Sequence, residues 1–402
     1  MSALPPTSSL PWLTVIGIGE DGLDGLAPAA RALAEGAEVL VGGTRHLAMV
    51  PKGAAERLLW ASPFADSRIL LERLRGRRVV VLASGDPMWF GAAATLAGWF
   101  DPDEITVIAH PGAFSLAAAR LKWPLQDCLC LTAHGRPVEA LSLHFAPGRR
   151  LLILSEGKAT PAAVARLLER HGYGASAITV LENLGGKAER VVSGTDAASD
   201  LNVIALDCAV APGMRPLGLG FGLPDDAFHH DGQLTKRDIR AVTLGVLAPL
   251  AGEMLWDVGA GSGSVAIEWM RAGGRAIAIE PLAERSERIA RNATVLGVPG
   301  LEIITARAPA GLPLNGDAPD AVFVGGGVSE PGLLDICRAA LKPGGRLVAN
   351  AVTAEGEAAL IAFHAGHGGE MTRLSLARLE PVGGFHTWHP AMPVTQYVGW
   401  KR

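Results

Sequence analysis

Between Ala211 and Asp226 the chain reads Ala-Pro-Gly-Met-Arg-Pro-Leu-Gly-Leu-Gly-Phe-Gly-Leu-Pro-Asp-Asp, with three prolines and four glycines. Proline removes a backbone donor and fixes φ, and glycine is the residue most costly to order, so this stretch can form neither a helix nor a central strand. It divides the sequence into two parts of domain size, 1–210 and 227–402, with 211–226 as a linker. The whole, at 402 residues, is longer than one hydrophobic core usually serves.

Both parts read as α/β. Glycine is abundant at 50 residues and aromatics make up only 5 % of the chain, a composition suited to helices lying close on sheets with tight turns. In the first part, β-rich runs fall at Leu13–Ile18, Glu38–Val41, Arg78–Ala83, Thr106–Ala109, Leu151–Leu154, Ala177–Leu181 and Val203–Leu206. Segments with helical spacing separate most of them; one is Pro161–Arg170, with Thr160 placed to cap and Pro161 at the first helical position. In the second part the order is strand Met254–Val258, a helix from Ser264, strand Arg275–Glu280, helix Ala283–Leu296, strands Leu301–Thr305 and Ala321–Val324, helix Pro331–Leu341 and strand Gly345–Ala349. This alternation predicts a parallel sheet with a ligand crevice at the carboxyl ends of its strands. Leu376–Leu379 and Val394–Gly399 are expected to add an antiparallel edge.

The net charge of −4 and the absence of any polybasic block argue against nucleic acid and membrane surfaces as partners. Met1–Thr14 holds no basic residue and three prolines, which does not fit a signal peptide, and no apolar run reaches spanning length, so a cytoplasmic protein is expected. Cys128, Cys130, Cys208 and Cys337 lack zinc or redox spacing and read as reduced, small hydrophobes. The histidine groups His229-His230, His364 with His367, and His386 with His389 have no complementary ligands at metal spacing, so no metal is expected.

The sharpest local signal is Trp256-Asp-Val-Gly-Ala-Gly-Ser-Gly263, which follows an apolar strand and opens a helix. Glycines there permit positive φ and let a ligand lie against the backbone. A dinucleotide fingerprint would place its third glycine at 264, where this chain has Ser264, so the spacing fits instead a methyltransferase loop whose backbone holds the amino-acid part of S-adenosylmethionine. Glu280, at the end of the next strand, is positioned to accept hydrogen bonds from both ribose hydroxyls. The fourth strand continues as Asp320-Ala-Val-Phe-Val-Gly-Gly-Gly327. It lacks the Asn- or Asp-Pro-Pro-Tyr sequence that holds planar amines, which favours a carbon acceptor. After the third strand, Ala306-Arg-Ala-Pro309 offers no acid for the adenine amino group, leaving adenine to backbone groups.

Gly17-Ile-Gly19-Glu-Asp-Gly22 matches the dinucleotide fingerprint literally, yet the following strand ends Val41-Gly-Gly43 without an acid, and helix onset is delayed. More informative are Leu82-Ala-Ser-Gly-Asp-Pro87 and His110-Pro-Gly-Ala-Phe-Ser115, both at strand carboxyl ends. Either alone is ordinary turn chemistry.

Together with Glu156-Gly-Lys-Ala-Thr-Pro161 and Glu182-Asn-Leu-Gly-Gly186, these residues make the first part resemble the tetrapyrrole methylases of the cobalamin pathway, the class III methyltransferase fold. The second part, from Gly222-Leu-Pro-Asp-Asp-Ala-Phe228 and Leu234-Thr-Lys-Arg237 onward, resembles the decarboxylating precorrin methyltransferases, with a Rossmann-like class I fold. Fused in this order, the chain resembles the precorrin-6Y C-5,15-methyltransferase (decarboxylating) family. The resemblance implies one S-adenosylmethionine per domain and two methyl transfers to a reduced tetrapyrrole. The first domain would methylate ring carbon five; the second would methylate carbon fifteen and decarboxylate the carbon-twelve acetate, giving precorrin-8. It also implies, by analogy, a homo-oligomer.

Carried onto this sequence, the resemblance makes Gly85, Asp86 and Ser115 cofactor contacts in the first domain, with Gly17, Gly19 and Gly22 facing the tetrapyrrole. In the second, Asp257, Gly259, Gly261, Gly263 and Glu280 carry the cofactor and Thr235 closes over it. The substrate's carboxylates call for cations, for which Lys236, Arg237 and Arg240 are candidates against the reading of solvated helix charges. Methyl transfer from a sulfonium needs in-line approach and exclusion of water more than a strong base, so no catalytic dyad is required and no catalytic residue is assigned. Two other readings remain open at this point: a tandem methyltransferase acting on another carbon acceptor or an RNA, and one half serving as a non-catalytic tetrapyrrole-binding module.

Overall fold

The computed structural model describes residues 11–402, so most of the segment read for a leader lies outside the described residues. The described chain forms two compact units. The first ends at Met214; the second runs Arg215–Arg402 and includes the short stretch Glu139–His144.

The first unit contains two five-stranded sheets. One has strands β1 (Leu13–Ile18), β2 (Val39–Gly42), β3 (Glu56–Leu59), β4 (Val79–Ser84) and β5 (Ile105–Ile108), all parallel in the order β3-β2-β4-β1-β5. Its central strands are mostly apolar on both sides, with Thr14 and Ser84 the polar positions of β1 and β4, because both faces are covered. Leu13, Val15, Val39, Val41, Val79 and Val81 pack in one core layer, while Ile16, Ile18, Leu40, Val80 and Leu82 pack in the other. The second sheet is mixed: β6 (Cys128–Thr132), β7 (Arg150–Leu154), β8 (Ala177–Glu182), β9 (Arg190–Ser193) and β10 (Asn202–Asp207) lie in the order β6-β7-β10-β8-β9, and only β6 and β7 are parallel.

The second unit is built on seven strands: β11 (Met254–Val258), β12 (Arg275–Ile279), β13 (Glu302–Ile304), β14 (Ala321–Val324), β15 (Arg346–Ala351), β16 (Glu370–Leu374) and β19 (Val394–Trp400). Their order is β13-β12-β11-β14-β15-β19-β16, with the first five parallel and β19 antiparallel to both its neighbours. The order reverses at β11, which places the crevice beyond the carboxyl ends of β11 and β14.

Two features correct the sequence expectations. Leu376–Leu379 does not edge the large sheet: β17 (Ala377–Val382) pairs with β18 (Phe385–Pro390) as a separate hairpin, and β16 takes the edge. Thr160 lies inside the helix Thr160–Arg170, and its hydroxyl accepts hydrogen bonds from the Glu156 and Gly157 amides, both at 3.2 Å. The Pro/Gly segment is neither helix nor strand up to Pro224, but it is not a free tether. Gly222 and Leu223 donate their amides to buried Glu268, and Leu223 enters the core. No helix among the described residues is long and apolar enough to cross a membrane.

Candidate active sites

In the first unit, three loops at the carboxyl ends of β1, β4 and β5 meet backbone to backbone. A Cβ on Gly17 would fall 1.9 Å from the Gly85 carbonyl oxygen, and one on Gly85 would fall 2.7 Å from the Gly112 Cα. Gly85 has φ +53, the region glycine enters without penalty, so the turn into Asp86 is possible only with this residue type. Asp86 then accepts the Met88 amide at 2.9 Å. Beside this junction lies a cavity of about 950 Å³ lined by Gly19, Gly85, Asp86 and Ser115, and walled by Trp60, Trp89, Phe90 and Phe114.

Of the three early glycines expected to face substrate, only Gly19 reaches this cavity. Gly17 and Gly22 serve local packing: Gly17 admits the Gly85 turn, and Gly22, at φ +63, closes a turn onto the Gly19 carbonyl at 3.1 Å.

The cavity also contains residues that the sequence reading passed over. Directly after β2, Arg45 pairs with Glu20 and donates to Ser84 Oγ at 2.7 Å. Ser84 Oγ lies 2.9 Å from His46 Nε2, and burial beside the Arg45 charge pushes the imidazole down to about 4, so it is neutral near pH 7. This strand end has no ribose-binding acid and carries Arg45 and His46 instead.

In the second unit Gly259, Gly261 and Gly263 have φ of +72, +61 and +76. A Cβ on Gly259 would approach Gly326 of the loop after β14 to 2.8 Å, so these two glycine loops form the floor of the crevice. Glu280 is 2 % exposed; it accepts the Gly261 amide at 2.9 Å and the Leu282 amide at 3.2 Å. A carboxylate has about four acceptor sites, which leaves capacity for two hydroxyl donors. Asp257 lies beneath the loop, with one oxygen accepting the Ala266 amide at 3.0 Å and fixing the start of the helix Ser264–Arg271. Its other oxygen is buried without a partner, as are Ser262 Oγ and Trp256 Nε1. Desolvation, with Glu280 nearby, pushes the Asp257 carboxyl up to about 7.

The lead-in segment is fastened over this loop. Asn292, buried and unremarked in sequence, accepts the His229 amide at 2.8 Å and donates to the carbonyls of His229 and Ser262, both at 2.9 Å. Asp231 bonds Arg285 and Arg288, each at 2.9 Å, and these cations hold its carboxyl well below the usual range. Gln233 adjoins the glycines, since a Cβ on Gly261 would lie 3.1 Å from its carbonyl, and two residues on the Thr235 carbonyl accepts from Arg240.

Arg240 is corrected from a substrate cation to an internal one. It is 0 % exposed, and its Nε donates to Glu268 at 2.6 Å, with Nη1 bonding Asp225 at 3.2 Å. Helical spacing turns it inward, where two acids can repay its desolvation. Arg237 donates to the Gly222 carbonyl at 3.0 Å, whereas Lys236 is exposed at the start of the helix Arg237–Leu247.

Both sites fit S-adenosylmethionine. In the second unit, backbone cradles that a Cβ would fill, an acid with spare acceptor capacity and an orphaned buried acceptor match an amino acid joined to a nucleoside; Gly259, Gly261, Gly263 and Glu280 would hold it. In the first, the Gly85-Asp86 turn and Ser115 border a cavity large enough for a ligand of that size. The described cysteines are free thiols, and no group of three or more His, Cys, Asp or Glu that could hold a metal occurs among the described residues.

Residues 13–198 match the family described as Tetrapyrrole (Corrin/Porphyrin) Methylases, and residues 226–401 match the Precorrin methyltransferase domain. A precorrin-6Y C(5,15)-methyltransferase [decarboxylating] from Sinorhizobium sp is 48 % identical over 406 residues, covering 98 % of this chain and 97 % of its own. A cobalt-precorrin-7 C(5)-methyltransferase from Salmonella typhimurium is 32 % identical over 203 residues, 48 % of this chain and 98 % of its own. A protein named as a probable cobalt-precorrin-6B C(15)-methyltransferase (decarboxylating), from Saccharolobus solfataricus, is 32 % identical over 143 residues, 33 % of this chain and 71 % of its own. With its two methyltransferase units in tandem and a relative of nearly half identity along almost its full length, the chain belongs to the decarboxylating precorrin-6Y C(5,15)-methyltransferase family.

Proposed function

We propose that the chain methylates precorrin-6Y at ring carbons five and fifteen and removes the carboxyl group of its carbon-twelve acetate as carbon dioxide, giving precorrin-8 on the route to cobalamin. The observation that carries this reading is the presence of two separate cradles for S-adenosylmethionine, one at the Gly85-Asp86 turn and one at the Gly259 loop with Glu280. One cofactor binds per domain. Residues 1–210 methylate carbon five, and 227–402 methylate carbon fifteen and decarboxylate. Relatives that cover half of the chain or less and are named for C(5) or C(15) alone support this division.

S-adenosylmethionine, when bound, supplies an electrophilic methyl group on a sulfonium. The residues of each site act by position. Backbone amides and the Glu280 carboxylate fix the nucleoside and amino-acid ends, and the lead-in segment, fastened by Asn292, limits water at the crevice. The aromatic wall of the first cavity offers flat apolar surface for a macrocycle. We place the enzyme in the cytoplasm, as a homo-oligomer that does not bind nucleic acid. The hairpin β17–β18 supports self-association: every residue of both strands is exposed, with Phe385 at 82 % and Trp388 at 66 %.

Incubation with a reduced precorrin-6 and methyl-labelled S-adenosylmethionine, followed by mass spectrometry, tests the reading. Two labelled methyls gained and one carbon dioxide lost are expected; an unchanged tetrapyrrole mass with both cofactor sites filled overturns it.

A further inference from the structure

We infer that Arg136 is the residue of the first unit that receives a peripheral carboxylate of the tetrapyrrole, an assignment that rests on reading the 950 Å³ cavity as the carbon-five site. Two guanidinium groups line that cavity, and they differ in what already occupies them. Arg45 is neutralised by Glu20 and also donates to Ser84, so its charge is spent within the protein. The Arg136 guanidinium makes no ion pair or hydrogen bond among the described residues. It lies over an aromatic face: the guanidinium carbon is 5.8 Å from the centre of the Phe90 ring. All five of its N–H donors remain for a ligand, in the planar fork that matches a carboxylate.

The Phe90 side of this pair points the same way. Phe90 has φ +55, a conformation that an aromatic residue rarely adopts, although it is 46 % exposed. Strained backbone of this kind concentrates where a ligand is handled. Trp89 and Phe90 both lean on buried Phe114, at 5.6 and 6.1 Å between ring centres, so the segment forms an aromatic surface with a free cation above it. A flat macrocycle fringed with carboxylates is complementary to that combination. Arg136 also borders a second cavity, of about 300 Å³, which gives its side chain room to leave the Phe90 ring.

The methionyl end of the cofactor carries a carboxylate too, and the test separates the two sources. The full-length chain is compared with Arg136→Met and Arg136→Lys in three measurements: the KM for reduced precorrin-6 read on carbon-five product by mass spectrometry, S-adenosylhomocysteine binding by calorimetry, and Tm. The expected result is a KM raised about tenfold or more in Arg136→Met and less in Arg136→Lys, with unchanged cofactor affinity and Tm. An unchanged KM overturns the inference. So does weakened S-adenosylhomocysteine binding, which would assign Arg136 to the cofactor's carboxylate. If the wild-type chain adds no methyl at carbon five, both the inference and the reading beneath it fail, and this is seen before any variant is made.

Discussion

Glu280 accepts the amide of Gly261 across 2.9 Å, so the acid that ends one strand also sets the shape of the glycine loop that follows another. Replacing Glu280 with Gln keeps the side-chain length but removes the charge that strengthens both this bond and any bond to ribose hydroxyls. Calorimetry with S-adenosylhomocysteine should show two sites per chain in the wild type and one in Glu280→Gln. The variant's product should carry the carbon-five methyl alone and retain its acetate.

Arg240 and Glu268 form an ion pair in which each is at most 2 % exposed. Removing one partner from such a pair leaves a buried charge uncompensated, at a cost of about 3–5 kcal/mol. Urea denaturation of Arg240→Met should therefore show a loss of this size in the second unit. The fraction that remains folded should have the wild-type KM for tetrapyrrole; a raised KM without a stability loss would return Arg240 to the substrate.

The Gly17 approach to Gly85 allows no side chain. Gly17→Ala has to displace the Gly85-Asp86 turn, with an expected stability loss of about 1–3 kcal/mol and a larger fall in carbon-five methylation than in carbon-fifteen methylation. Gly53→Ala, at a position where a Cβ meets nothing within 4 Å, is the control and should match the wild type in both.

Asp257 gives a pH signature. Its carboxyl titrates near 3.8 in the unfolded chain and is pushed up to about 7 by burial in the fold. The folded state therefore holds its proton more tightly, and the contribution to stability is complete below about pH 4 and is lost as pH rises through about 7. In the cofactor-free protein, Asp257→Asn should flatten the decline in Tm between these limits. Wild-type and variant curves of equal slope would show that Asp257 titrates normally.

Most of the architecture was legible because its signals are local. Val79-Val-Val-Leu82 announces a strand covered on both faces, and the Gly259 loop between strand and helix announces a crevice. Short edge strands escaped notice. Glu56–Leu59 and Arg190–Ser193 are partly solvated and carry as many polar as apolar side chains, so their pairing is decided by neighbours distant in sequence. The same limit applied to Arg240: its charge suggested a substrate carboxylate or solvent, and only the fold reveals that Glu268 and Asp225 wait for it inside. Arg45, His46, Arg136 and Asn292 were missed for a related reason, since single polar residues acquire meaning only from the cavity or loop beside them.

The meeting of Gly17, Gly85 and Gly112 has a consequence for redesign. Gly85 and Gly112 lend main chain to the base of the first cavity, while side chains such as Trp60, Trp89 and Arg136 form its walls. Walls of that kind can be exchanged one residue at a time without moving the base. Regioselectivity around a macrocycle can then be retuned by repainting the walls, whereas a side chain added at Gly17 or Gly85 has to displace main chain.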